Sequence, residues 1–186
     1  MNIKSGADKL MKKTKSLVQV SLMAAIIFLA AYIIHVPTAG GVIHLGDCMV
    51  FVSAALLGKR KGAAASAIGM ALFDLMSGYA IWAPFSFIIK GVMAYVAAAI
   101  IEKNTSNNVK TQILAFIVSS IWMVTAYYFS QVLIGTLLTG EFVSSSAAFV
   151  YALKDVPTNI VQVASGVVIS IPLIKAIEKN VVLNNK

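Results

Sequence analysis

Lys154-Asp155-Val156-Pro157-Thr158-Asn159-Ile160-Val161-Gln162 sets two charges and two amides at the head of an apolar run, Ile160 to Ile174. The run reads as a lipid-buried helix. Pro157 falls in its first turn, where a missing N–H costs nothing. Asp155, Asn159 and Gln162 are spaced i, i+4, i+7 and share one helix face. Polar groups at the edge of hydrocarbon are expensive, so such a cluster generally has something to bind.

The rest of the chain places this stretch in a membrane. Of 186 residues, 59% are hydrophobic and 12% charged, and mean hydropathy is +0.87. A soluble domain is closer to 45–50% apolar and roughly 25% charged, so the composition is that of an integral membrane protein. Residues 1–186 read as one transmembrane domain, all α-helical, with no room for a soluble catalytic domain. Six segments approach the roughly 20 residues that a span requires: about 16–35, 46–58, 62–79, 84–101, 110–137 and 155–175. Residues 1–15 form a basic tail. The first apolar run, Leu17 to Ile34, is longer than a signal-peptide core and reads as a retained helix. His35 to Asp47, with Pro37, Gly40 and Gly41, reads as a loop. Gly140 to Leu153 reads as an outer loop or a short interfacial helix.

The formal charge of +8 is distributed as topology dictates. Lys4, Lys9, Lys12, Lys13 and Lys15 precede the first span. Lys59, Arg60 and Lys61 share one loop, Lys103 and Lys110 flank another, and Lys175, Lys179 and Lys186 belong to the tail. Cations confined to alternate loops put both termini in the cytoplasm and exclude a nucleic-acid groove. Cys48, the single cysteine, excludes an internal disulfide and a cysteine-only metal site, and reads as a small buried apolar residue.

Depth then gathers the polar residues. Asp74 lies four residues before Gly78, roughly 6 Å below the outer end of the third span. Lys90 lies six residues beyond Pro84, about 9 Å below the same face. Tyr127, Tyr128 and Gln131 occupy the outer half of the fifth span. The inner half offers little beyond Gln19 and Ser66. A charge at mid-helix costs about 2.5–3.5 kcal/mol on insertion scales, so Asp74 and Lys90 each require a partner or water. One pocket open to the outside, shared by the third to sixth spans, answers both needs. The competing reading makes Asp74 and Lys90 a structural ion pair and lets Lys154 snorkel.

Tyr79 and Trp82 sit at the outer boundary, as belt anchors or as platforms for a ring. His44 and Asp47 are two metal-ligand types without a third, and Asp47 also fits the N-cap of the second span. There is no phosphate loop, no HExxH and no nucleophile paired with a base, so the chain reads as no enzyme. Ala63, Ala67 and Ala71, with Ser21 and Ala25 in the first span, form small-residue faces. Such faces suit either internal packing or docking on another membrane subunit.

With Gly46-Asp47 heading the second span and Lys-x-x-Pro-x-Asn-x-x-Gln opening the sixth, the chain resembles an S component of an energy-coupling factor (ECF) transporter. The resemblance covers essentially the whole chain, in the branch of riboflavin, hydroxymethylpyrimidine and pyridoxine subunits. It implies a multi-pass protein of the bacterial cell membrane that captures a vitamin or heterocyclic precursor from outside. It also implies delivery inward with a transmembrane coupling protein and two cytoplasmic ATPases. ATP would be used by those subunits, and no cofactor is expected on this chain, which lacks a Walker A sequence. The family's substrate contacts on its last helix map onto Lys154, Asn159 and Gln162. Its coupling face maps onto Ser21 and Ala25, although Leu29 interrupts the repeat, with Ala63 and Ala67 as further candidates. The expected ligand is a small planar heterocycle, stacked by Tyr79, Trp82, Tyr127 and Tyr128. Asp74, Lys90, Gln131, Lys154, Asn159 and Gln162 would hold its polar edge. An autonomous secondary transporter or channel is the alternative; it would call for inverted repeats or a polar inner path.

Overall fold

Helical hydrogen bonding runs from Gly46 to Met76, but one residue inside it is not helical: Gly58 has φ 74° and ψ 178°. That conformation is essentially restricted to glycine. The chain reverses there. The oxygen of Ser53 lies 2.8 Å from where a Cβ on Gly62 would sit, and Ala54 Cα lies 3.1 Å from it. Along a straight helix positions 53 and 62 would be about 13 Å apart. Gly46 likewise approaches Met70, whose sulfur is 2.8 Å from the Cβ position. Residues 46–57 and 59–76 are therefore two antiparallel arms of a helical hairpin. Glu102 fastens the turn, its Oε1 accepting the Lys59 N–H at 2.9 Å while Oε2 pairs with Lys59 Nζ at 3.0 Å.

The computed structural model describes residues 3–38, 41–104, 108–142 and 144–184. In chain order it contains α1 (Ile3–Ile33), β1 (His35–Thr38), β2 (Gly41–His44), α2 (Gly46–Met76, the two arms), a 3-10 turn (Ala80–Trp82), α3 (Ala83–Lys103), α4 (Val109–Leu133), a π turn (Ile134–Leu138), α5 (Ser145–Ala152) and α6 (Asp155–Asn184). The protein is nearly all helix. Among the described residues, four helical stretches are long and apolar enough to cross a membrane: Gly6–Ile33, Ala80–Lys103, Val109–Leu138 and Ser146–Asn180.

Several boundaries differ from those expected. α1 begins at Ile3 rather than near residue 16, because the lysine-rich segment continues the helix with its described side chains exposed. α6 likewise runs on to Asn184. The expected loop at 35–47 contains an antiparallel hairpin pairing His35 with His44, Val36 with Ile43 and Pro37 with Val42. Gly40 and Lys186 lie outside the described residues. Asn108 caps α4 by accepting the Thr111 N–H at 2.8 Å, the usual role of Asn at that position.

Small residues draw the helices together. A Cβ on Gly69 would stand 2.6 Å from the Ala24 oxygen of α1, and one on Gly91 of α3 would stand 3.2 Å from Ala67 Cβ. This is close approach of the kind that small residues permit in lipid. The central layer holds Ile27, Phe51, Met70, Phe73, Met93 and Phe116, all buried. Phe51 and Phe116 stack at 4.4 Å. Leu22, Ile88, Ile121 and Val168 face outward, as lipid-facing positions should.

Candidate ligand-binding site

The second arm of α2 ends at Ser77, and Gly78 follows with φ 85°, a left-handed stop of the kind that commonly closes helices. The Tyr79 N–H then donates to the Asp74 carbonyl at 2.9 Å, and the Trp82 N–H to that of Tyr79 at 2.8 Å. This tight exit sets Asp74 in the last helical turn and lifts Tyr79 and Trp82 above it. Pro84 opens α3 directly afterwards. α6 opens opposite, its first two turns carrying Asp155, Thr158, Asn159 and Gln162 on the side facing inward.

These elements enclose a cavity of about 70 Å³ lined by Val42, His44, Asp74, Tyr79, Trp82, Ser86, Tyr127, Asp155, Thr158, Asn159 and Gln162. Trp82 and Tyr127 lie 5.9 Å apart, and Phe73 backs both Tyr79 and His44. The Ser86 hydroxyl hydrogen-bonds the Asp74 carboxylate and meets the Tyr127 hydroxyl at 2.8 Å. With an ionised carboxylate accepting only, Ser86 donates to Asp74 and Tyr127 donates to Ser86.

A second network lies beneath. Lys90, fully buried, forms an ion pair with Asp47, also fully buried. Gln162 Nε2 donates to the other oxygen of Asp47 at 2.8 Å, and Gln162 Oε1 accepts the His44 N–H at 3.2 Å. Lys90 Nζ also stands 5.1 Å from the centre of the Tyr127 ring. The network ties β2, α2, α3 and α6 into one floor. Burial pushes His44, in the β-hairpin, down to about 4, which keeps its ring neutral near pH 7.

Of the residues chosen from the sequence, Asp74, Tyr79, Trp82, Tyr127, Asn159 and Gln162 come together around the cavity. Three do not. Lys90 lies under the floor, committed to Asp47 rather than to Asp74. Lys154 turns aside, with Nζ 3.3 Å above the Tyr151 ring. Gln131, half-buried on α4, is absent from the lining. Tyr128 is spent on α5, its hydroxyl donating to the Phe149 carbonyl at 3.1 Å. Asp47 does not cap its helix. Leu45 holds that position with no side-chain cap, and the Asp47 carboxylate turns inward.

Val42, His44, Ser86, Asp155 and Thr158 complete the lining without having been singled out as ligand contacts. Asp155 shares the α6 face of Asn159 and Gln162, and Ser86 lies four residues before Lys90 on one face of α3. Of the coupling-face candidates, Ser21 and Ala25 are exposed on α1, whereas Ala63 is partly buried and Ala67 is buried against Gly91.

This arrangement is that of a membrane-embedded binding protein, and sequence comparison supplies the family. The profile described as ECF-type riboflavin transporter, S component, matches residues 11–179; the chain belongs to this family. It is 28% identical over 176 residues to the thiamine precursor transporter HmpT of Lactococcus lactis subsp. cremoris (strain MG1363), covering 93% of each chain. It is 30% identical over 144 residues to an uncharacterized protein in a gap 3′ region of Pyrococcus woesei, covering 73% of this chain and 82% of that one. A solved structure described as the S component of a bacterial ECF transporter shares the fold. Its TM-score is 0.73 at 20% identity, over 91% of this chain and 98% of that one.

Proposed function

We propose that this chain captures a small vitamin-like heterocycle from outside the cell and delivers it inward with a transmembrane coupling protein and two ATPases. The observation that carries the reading is the cavity itself, walled by aromatic rings and lined by buried polar groups at one end of the bundle. In this reading the arms of α2 are separate crossings and the protein has six spans. The positive-inside distribution supports both termini in the cytoplasm, which puts the cavity at the outer face of the cell membrane in this reading. Asp74, Asn159 and Gln162 hold the ligand's polar edge, and Tyr79, Trp82 and Tyr127 hold its ring. ATP is bound by the partner subunits, with no cofactor on this chain. Ser21 and Ala25, small and exposed on α1, offer the coupling protein a close approach.

The test is direct. Purified protein is denatured and the released small molecules are identified by mass spectrometry, alongside calorimetry against water-soluble vitamins and their precursors. One such compound is expected to be released or bound, and cellular uptake is expected to require the coupling ATPases. Neither release nor binding of any of them, or uptake without the ATPases, would defeat the reading.

A further inference from the structure

Three buried atoms around the cavity have no hydrogen-bond partner within the protein: Asp74 Oδ2, Asp155 Oδ1 and His44 Nδ1. Their residues are 5%, 7% and 5% exposed, and all three line the same space. A buried polar atom left unpaired costs about 1–3 kcal/mol, more when charged. Three around one cavity call for complementary groups on whatever fills it.

The signs of the charges sharpen this. Lys90, the cation that the sequence offered as a contact, is sealed beneath the floor by Asp47. Lys154 sits over Tyr151, and neither lysine appears in the lining. The Asp47 charge is answered by Lys90, whereas those of Asp74 and Asp155 face the cavity. Among the described lining residues, the charged groups presented to a ligand are therefore carboxylates. Gln162 has its oxygen and one N–H engaged, so Asn159, Thr158, Tyr79 and Trp82 carry the chief neutral donors of the lining.

Resting on the capture reading above, we infer that the site selects a planar nitrogen heterocycle whose edge carries N–H donors or a positive charge, such as an amino group beside a ring nitrogen. Asp74 and Asp155 receive those donors. Anionic forms of the same ring, phosphate monoesters above all, are turned away, because both carboxylates repel them and no lysine or arginine stands among the described lining residues. Edges built from carbonyl oxygens are disfavoured for the same reason, which sets this cavity apart from one shaped for a dioxo ring system.

The experiment is a binding series on the purified full chain, read by calorimetry and by tryptophan fluorescence. Its probes are a 4-amino-5-hydroxymethylpyrimidine, its 4-oxo counterpart, its phosphate monoester, and riboflavin. The amino compound is expected to bind at least roughly tenfold more tightly than each of the others, the size of one charge-assisted hydrogen bond. Asp74→Asn and Asp155→Asn are expected to remove most of that preference while leaving the weak binding of the 4-oxo compound in place. The ratios on the unmutated chain stand whether or not the variants fold. Equal or tighter binding of the 4-oxo compound, the phosphate ester or riboflavin overturns the donor-edge inference and leaves capture intact. Binding of no probe, with no molecule released on denaturation, overturns both.

Discussion

Asp47 and Lys90 show how much one contact decides at the residue scale. Neither charge is tolerable alone in the interior, and together they form a buried pair whose removal is asymmetric. Asp47→Asn leaves Lys90 buried with a neutral partner, and breaking such a pair typically costs about 3–5 kcal/mol. Combining it with Lys90→Met removes the orphaned charge and is expected to recover most of the loss. Denaturant titration in detergent of the single and double variants checks this; a single variant as stable as the parent would refute it.

His44 gives a second prediction at this scale. Its folded-state value of about 4 lies below the ordinary 6.5, so between those values the unfolded chain binds more protons than the folded one. Stability is fully present above pH 6.5 and declines as pH falls toward 4, by about 2 kcal/mol at pH 5. His44→Gln should flatten that slope. Melting temperatures at pH 7 and pH 5 for both proteins make the comparison, and parallel pH profiles would rule the account out.

At the scale of elements, the turn at Gly58 is the most exacting position. An alanine there would adopt a backbone conformation that costs on the order of 1–3 kcal/mol. Its Cβ would also stand 2.7 Å from Glu102 Oε1, forcing the carboxylate off the Lys59 N–H. Gly58→Ala is expected to lower the melting temperature and to loosen the 59–76 arm at its start, measured as faster amide exchange at Lys59 and Arg60. Unchanged exchange there would show that the clamp is not structural.

The two arms were legible in sequence because Lys59, Arg60 and Lys61 interrupt the apolar run and only a turn accommodates them at a membrane surface. The reversal falls at Gly58 rather than within those cations, because only glycine accepts the dihedral angles. The β-hairpin was not legible. Its strands have four residues each, include Pro37, and owe their pairing to the helices that anchor them. On α6, by contrast, helical spacing alone gathered Asp155, Asn159 and Gln162, because one element carries all three.

For the whole molecule, the membrane class followed from composition, but the partnership of Lys90 did not. Its partner lies 43 residues away, and no periodicity relates α2 to α3. Depth alone brought Lys90 near the level of Asp74, with which the competing reading paired it. The choice between Asp74 and Asp47 depends on how the hairpin arms stack, which is a tertiary fact. The same holds for Lys154, whose side chain chose the ring of Tyr151 over the cavity. Topology is testable at this scale. Cys48 is buried, so single cysteines can be introduced and probed with a membrane-impermeant maleimide. Arg60→Cys is expected to react only from the cytoplasmic side and Glu141→Cys only from outside; the reverse pattern would invert the protein.

The floor of the cavity also has a place in time. The hydrogen bond from the His44 N–H to Gln162 spans 118 positions, and the bond from Gln162 to Asp47 spans 115. During synthesis the first four-fifths of the chain must wait in the membrane with this corner unfinished, since N-terminal segments form first. Until α6 arrives, Asp47 has Lys90 alone and β2 has nothing on α6 to hold it. A chain halted after Ala152 should therefore insert and remain helical yet retain no ligand, and supplying residues 153–186 as a separate segment should restore retention. Capture is the last property the nascent protein acquires.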